Sequence, residues 1–295
     1  MNAKSLLFAG CLLTITSAAH AQVSDSLAHV GFEYFPRSKN DATGQTLQLN
    51  VLRVGAGVPI PVAKRTTLVA GASYELLDIH MSDADSFQLH APKATAGIIQ
   101  GFSDHWGMMA FVDAGFASDF SDKVSSDDLL LSLTGIGTYK LNDAFTIGLG
   151  AVYDRRTGKL GPLPALLLSW RTSERTRIRG FVPAHVSAEY HATDWLDLGL
   201  RASFDGNRFH IGESRFQTPN LELAYSNLDV GPKVTFSLND WVHLDVYAAG
   251  AVYRRYELFH DDESYAKYEL SPVVSYGARF WIGPSQWNPP KPTAE

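Results

Sequence analysis

Cysteine is almost absent from this 295-residue chain: Cys11 is its one thiol. It sits in an N-terminal segment where Lys4 is the only charge, an apolar run extends from Leu6 to Ile15, and Ala19-His20-Ala21 offers a small-x-small cleavage site. That pattern reads as a secretory signal peptide over 1–21, too short to span a membrane as a helix. Cleavage near Ala21 leaves a mature chain starting at Gln22 with no cysteine. A disulfide framework, a zinc–thiolate centre and a cysteine nucleophile are then excluded. Phe8-Ala9-Gly10-Cys11 also has the form of a lipoprotein box, although the apolar run continues past it.

Two further absences narrow the field. No later stretch approaches the ~20 apolar residues a membrane helix needs. Basic residues are not in excess either, since removing Lys4 leaves 24 against 31 acidic ones. Mild acidity with no basic patch argues against nucleic acid. No phosphate-cradling glycine loop and no second domain are visible, and no cofactor or metal site is read.

What the chain does have is a recurring turn. Ser103-Asp104-His105-Trp106, Asn142-Asp143-Ala144-Phe145, Thr193-Asp194-Trp195 and Asn239-Asp240-Trp241 each close with an aromatic and lead into a strand-like run. Asp and Asn suit tight turns because their side chains bond nearby backbone. Trp106, Phe145, Trp195 and Trp241 at the strand starts fit a membrane–water interface, where an amphipathic ring sits at headgroup level.

The strands that follow alternate as a membrane strand should. After Trp241, Val242, Leu244, Val246, Ala248 and Val252 share one face, opposite His243, Asp245, Tyr247 and Tyr253. After Trp195, Leu196, Leu198, Leu200, Ala202 and Phe204 oppose Asp197, Arg201, Ser203 and Asp205. The connections at the other ends are longer and charged, as at 82–86, 121–128, 206–220 and 260–264. Short turns alternating with long loops match periplasmic turns and extracellular loops.

These signals predict an all-β protein, a transmembrane antiparallel up-and-down β-barrel over 22–282. Strands are expected near 27–36, 45–59, 66–79, 87–102, 107–119, 128–141, 145–155, 161–171, 195–210, 219–238, 241–258 and 265–282, about twelve in all, with 10 or 14 as alternatives. The stretch 172–194 breaks the rhythm and reads as a periplasmic or inward-folded segment; as a short hairpin it would bring the count to fourteen. Residues 283–295, with four prolines, read as a periplasmic tail because proline cannot donate to a ladder.

The last strand, Ser275-Tyr276-Gly277-Ala278-Arg279-Phe280-Trp281-Ile282, resembles the β-signal read by the outer-membrane assembly machinery, with Ser275, Gly277, Phe280 and Ile282 at its pattern positions. It departs in not ending the chain. Signal peptide, aromatic-closed turns and terminal signal together resemble bacterial outer-membrane β-barrel proteins of an uncharacterised, domain-of-unknown-function family. Pro162-x-Pro164…Trp170 and Pro183…Tyr190…Trp195 are similar to runs in such a family. The resemblance implies a Gram-negative outer membrane, lipid and lipopolysaccharide as surroundings, the assembly machinery as a partner, and no attached activity.

Arg53, Glu75, Asp113, Arg156, Asp197, Arg201, Lys233, Asp245, Arg255 and Arg279 are expected to face the lumen. Charges of both signs there either line a narrow polar pore or pair and plug it, because an unpaired interior charge is costly. Near balance favours pairing. A lipid-modifying enzyme is a further reading, with His185-x-Ser187-x-Glu189 on one strand face as its candidate site, although neighbours in one strand start too far apart for a catalytic triad. A soluble secreted β-protein is a third. Histidines near acids, such as Asp78-x-His80 and His260-Asp261-Asp262, read as solvated loop ends, and His90 and His210 lie near other loop ends. The expectation is a barrel that is no enzyme, serving as a narrow channel or a structural and surface protein.

Overall fold

The computed structural model describes residues 26–40, 44–82, 86–154, 161–216, 218–261, 263–285 and 287. The signal segment 1–21, Arg156, the acidic loop residues 83–85 and all but four residues of the tail 283–295 lie outside them. The strands are β1 (Ala28–Lys39), β2 (Thr46–Ala63), β3 (Thr66–Met81), β4 (Phe87–Gly101), β5 (Trp106–Phe116), β6 (Leu129–Asn142) and β7 (Phe145–Asp154). They continue as β8 (Gly161–Arg171), β9 (Thr176–Val182), β10 (His185–Thr193), β11 (Leu196–Ile211), β12 (Leu221–Ser237), β13 (Val242–His260), β14 (Glu263–Glu269) and β15 (Val273–Ile282).

Each strand from β1 to β13 pairs antiparallel with its successor, and β13 and β1 both pair with β15, so the sheet closes on itself. The closed ring has fourteen strands, not the twelve favoured from sequence. The hairpin alternative accounts for the difference, and a second local event adds a fifteenth strand outside the ring. Residues 172–194 form the β9–β10 hairpin within the wall, with His185 opposite Phe181 and β10 continuing into β11. The expected strand over 265–282 is broken around Pro272, which has no N–H to donate. Its first part, β14, is an extra strand along the far end of β13, in line with β15.

The turns use the chemistry their residues offer. Ser103 Oγ accepts from the His105 and Trp106 amides at 3.2 and 2.9 Å. Asn142 Oδ1 accepts from the Ala144 amide at 2.8 Å, and Asn239 Oδ1 from the Trp241 and Val242 amides at 2.8 and 2.9 Å. Both ends of the barrel strand set, Ala28 and Ile282, lie at this turn end and pair with each other. The outer surface between the two ends is apolar: Leu149 is 68% exposed, Leu200 63% and Val58 54%. A soluble protein rarely leaves so continuous an apolar surface in water, whereas a barrel in lipid requires it.

The wall is uneven in height. β2, β3, β11, β12 and β13 run 16 to 19 residues, but β9 and β10 have only 7 and 9. β9 reaches the level of Leu166 and β10 that of Ser203, so the upper part of β11 has no β10 beside it. Residues 117–119 fill that gap from the inside. Ser118 exchanges backbone hydrogen bonds with His90 of β4, and His210 of β11 bonds Ala117 O and Asp119 N. At the opposite edge Asn40 bridges Leu270, and the Ser271 amide donates to Lys39 O. The loop end therefore closes as a smaller ring of β11–β14 and β1–β4, stapled by 117–119. Eight strands make a ring that side chains alone can fill. A packed cluster fills it: Phe35, Leu49, Leu77, Leu89, Phe209 and Tyr256 are each at most 2% exposed. A second apolar cluster, including Ile99, Met109, Ile136 and Leu167, lies along β4–β8.

Candidate functional site

Below that apolar cap the inner surface is polar, because the alternate residues of β1–β3, β9–β13 and β15 that face away from lipid are charged. The first layer is a neck of cross-barrel contacts. Arg53 of β2 donates to Glu75 of β3 at 2.9 Å and to Glu33 of β1 at 3.1 Å, and stands 3.9 Å from Asp205 of β11. Arg201 of β11 lies 3.8 Å from Glu33, with its guanidinium 3.8 Å over the Tyr247 ring. The Tyr225 hydroxyl of β12 donates to Glu75 at 3.1 Å. Arg53, Glu33 and Glu75 sit on neighbouring strands, but the Arg53–Asp205, Arg201–Glu33 and Tyr225–Glu75 contacts join strands far apart in the wall and so cross the lumen.

The next layer is a second ion network. Glu189 of β10 accepts from Arg179 at 2.9 Å and Lys233 at 2.6 Å. Asp245 accepts from Arg279 Nε at 3.1 Å, Thr235 at 2.8 Å and the Trp281 indole at 3.2 Å. Glu189 and Asp245 are buried; removing one partner of such a pair typically costs about 3–5 kcal/mol, because the other charge is left unpaired in a poor solvent. At the turn-end mouth Trp287 folds back inside. Its indole donates to Asp197 at 2.9 Å, its ring stacks on His191 at 5.0 Å, and the Arg177 guanidinium lies 4.7 Å from it. The cavity among Glu189, Lys233, His243 and Trp287 measures 20 Å³, about one water.

Sequence-expected residues fall into this arrangement unevenly. Arg53, Glu75, Asp197, Arg201, Lys233, Asp245 and Arg279 take the positions just described. Asp113 accepts from Thr95 at 2.5 Å and stands 3.8 Å from Lys93. Arg255 is a correction. Leu228 pairs with Tyr253 but Asp229 with Ala251, so Val252 is an extra residue and the faces swap beyond it. Arg254 then points inward, 2% exposed over the Phe35 ring, while Arg255 pairs with Glu257 on the other face. Tyr253, expected inside, is 38% exposed for the same reason.

Trp106, Trp195 and Trp241 are exposed at the turn end, and Phe145 is half-buried there. Cross-strand rings meet them: Tyr139 lies 4.7 Å from Trp106, Phe236 6.3 Å from Trp195, and Trp170 6.1 Å from Phe145, edge-on. In β15, Ser275 is buried, and Gly277 faces Tyr247 so closely that a Cβ would sit 2.2 Å from Cζ. Phe280 and Ile282 are on the outside. His185 and Ser187 share the inner face with Glu189, but that carboxylate is engaged by Arg179 and Lys233 rather than by a histidine. His80 and His210 pair with Asp78 and Asp128, both at 2.8 Å, and His90 with the Tyr74 hydroxyl at 2.7 Å.

Glu33, Asp229, Arg254 and Trp287 went unread in the sequence. Glu33 was within reach, since Val30 and Phe32 alternate with Gly31 and Glu33 along β1. Asn227 and Asp229 alternate with Leu228 and Val230 in the same way. Nothing in the tail marked Trp287 as an inward residue.

The outer segment that staples the loop-end ring has its own electrostatics. Burial pushes the Asp119 carboxyl up, but the Gly212 amide, the Arg215 guanidinium and Ser121 outweigh it and hold it below the usual carboxylate value. Arg215 Nε donates to it at 2.6 Å and the Gly212 amide at 3.1 Å.

No curated protein matches this chain. Among solved structures it is similar to an outer membrane channel from Pseudomonas putida F1, at 11% identity over 88% of this chain and 97% of that one, with a TM-score of 0.44. It is also similar to the translocator domain of the autotransporter NalP from Neisseria meningitidis, at 12% identity over 96% and 97%, with a TM-score of 0.38. A mutant porin of Rh. blastica gives 9% identity over 85% and 98%, with a TM-score of 0.23. The family model described as Domain of unknown function (DUF6268) matches residues 17–269. The chain belongs to that DUF6268 family of unknown function and is built as a closed antiparallel β-barrel.

Proposed function

We propose that this protein resides in the outer membrane of a Gram-negative bacterium as a barrel closed to solutes, a structural and surface protein rather than an open channel. The observation that carries this reading is the ring of eight strands at the loop end, filled by the apolar cluster around Phe35, Leu49, Phe209 and Tyr256. A hydrated pore has no path through such a core. The paired charges of the neck and the Trp287 contact at the mouth support the same reading.

In this arrangement the turn end faces the periplasm and the loop end the outside. Export follows cleavage of the signal segment near Ala21, and the assembly machinery engages Ser275 to Ile282. Lipid and lipopolysaccharide contact the apolar belt and the loops. The chain is not an enzyme on this reading, because Glu189 serves Arg179 and Lys233 instead of orienting His185. The test is in two parts. The protein should fractionate with outer membranes and migrate differently boiled and unboiled, and liposomes carrying it should not swell in sugar solutions. Swelling at a rate comparable to a porin's would establish a channel instead, and loss of a lipid hydrolase activity on Ser187→Ala would establish an enzyme.

A further inference from the structure

Three carboxylates meet in the neck from three different strands. Glu33 of β1, Asp205 of β11 and Asp229 of β12 offer oxygens that all lie within 4.8 Å of one another. Asp229 is 0% exposed and Glu33 1%. Neither oxygen of Asp229 nor Glu33 Oε1 has a hydrogen-bond partner. The arginines nearby spend their hydrogen bonds on other atoms: Arg53 bonds Glu75 and the other oxygen of Glu33, and Arg201 lies over Tyr247, leaving only longer ion contacts of 3.9 Å from Arg53 to Asp205 and 3.8 Å from Arg201 to Glu33 Oε1. Glu33, Glu75, Asp205 and Asp229 set against Arg53 and Arg201 leave the neck two negative charges in excess.

An ionised carboxylate buried without a donor is strongly unfavourable. Something of charge +2 that coordinates oxygen would relieve it. The donor set is all oxygen with no nitrogen or sulfur, which suits hard cations and not zinc or copper. Calcium binds oxygens at about 2.3–2.6 Å and so spans up to about 5 Å between opposite ligands, while magnesium spans only about 4.2 Å and demands near-octahedral order. All three groups lie within 4.8 Å of one another, inside calcium's span, and carboxylates brought in from three strands suit calcium's looser geometry better than a strict octahedron. A neutral donor is close too, since Asn227 stands directly opposite Asp205 in the β11–β12 ladder and its Oδ1 has no hydrogen-bond partner.

We propose that the neck binds one Ca²⁺ between Glu33, Asp205 and Asp229, clamping β1 to β11 and β12 across the lumen. The ion completes the charge balance of the neck and locks the two sides of the barrel together beneath the apolar cap. Sequence reading could not assemble the site, because its members are far apart in the chain and share no spacing motif.

The experiment is calorimetric titration of CaCl₂ into the purified, EDTA-treated full-length barrel in detergent at neutral pH, with thermal unfolding followed in parallel. The expected result is one Ca²⁺ per chain, a raised unfolding temperature with calcium, and a weaker response to MgCl₂. Asp229→Asn and Asp205→Asn each remove the isotherm and the thermal shift, and the second keeps the test available if the first fails to fold. Absence of calcium uptake by the wild-type barrel overturns the proposal. Uptake undiminished in both variants overturns it as well, assigning the ion to the acidic outer loops.

Discussion

The Trp287 indole donates to the Asp197 carboxylate at 2.9 Å, joining a residue beyond the last strand to the start of β11, 90 positions away in sequence. With the ring also on His191 and beneath Arg177, Trp287 lines the turn-end cavity together with Ser237 and His243. A hydrogen bond to a charged group is worth about 1.5–3 kcal/mol, so Trp287→Ala should raise exposure of the mouth by roughly ten- to a hundredfold. Cys11 is the one cysteine of the chain, so Ser237→Cys in a Cys11→Ser background gives a single thiol for a membrane-impermeant reagent. Labelling should be slow with Trp287 present and fast in the double variant; equal rates would mean that Trp287 does not shield the mouth.

Gly277 lies directly opposite Tyr247, and a Cβ there would meet the ring at 2.2 Å. Gly277→Ala should destabilise the barrel by about 1–3 kcal/mol through overpacking, read as a lower urea midpoint in refolding from lipid vesicles. Adding Tyr247→Ala should recover part of that loss. A double variant no more stable than Gly277→Ala alone would mean that the clash with the Tyr247 ring is not the cause.

Leu200 is 63% exposed on the outer face of β11, one residue before inward-facing Arg201. If lipid covers it, Leu200→Arg costs about 2–4 kcal/mol near the bilayer midplane. An equally exposed site in water would change stability by within about 0.5 kcal/mol. Unfolding titrations in vesicles separate the two outcomes directly.

Asp119 ties residues 117–119 to Gly212 and Arg215. Its folded pKa is depressed, so the staple's stabilisation is present above the unfolded carboxylate value of about 3.9 and is lost as pH falls through the lower folded value. Hydrogen exchange of the 117–128 segment should therefore stay slow from neutral pH down to about 4 and accelerate below it, after correction for intrinsic rates. Asp119→Asn should exchange faster at neutral pH and lose most of that acid dependence. A segment protected equally in both proteins would contradict the staple.

The turns were legible because Ser103, Asn142 and Asn239 act locally, bonding amides two or three residues on. The strand faces were legible for the same reason, since alternation is a property of one strand. Strand number and wall height were not. Whether 172–194 forms part of the wall depends on partners in β8 and β11, and the break at Pro272 becomes visible only beside β13. The swapped face at Arg254 and Arg255 arises from a bulge at Val252 that leaves no mark in the β13 sequence alone. The apolar cap depends on 117–119 crossing from β4 to β11, a contact between distant segments that no local pattern encodes.

Conductance of the purified protein in planar bilayers tests the closed lumen most directly. With Phe209, Leu49 and Tyr256 packed in the loop-end ring and Arg53 tied to Glu33 and Glu75 in the neck, inserted wild-type protein should give no stable current steps at moderate voltage. Steady, reproducible steps from the wild-type barrel at low voltage would contradict the closed lumen and make this protein a channel.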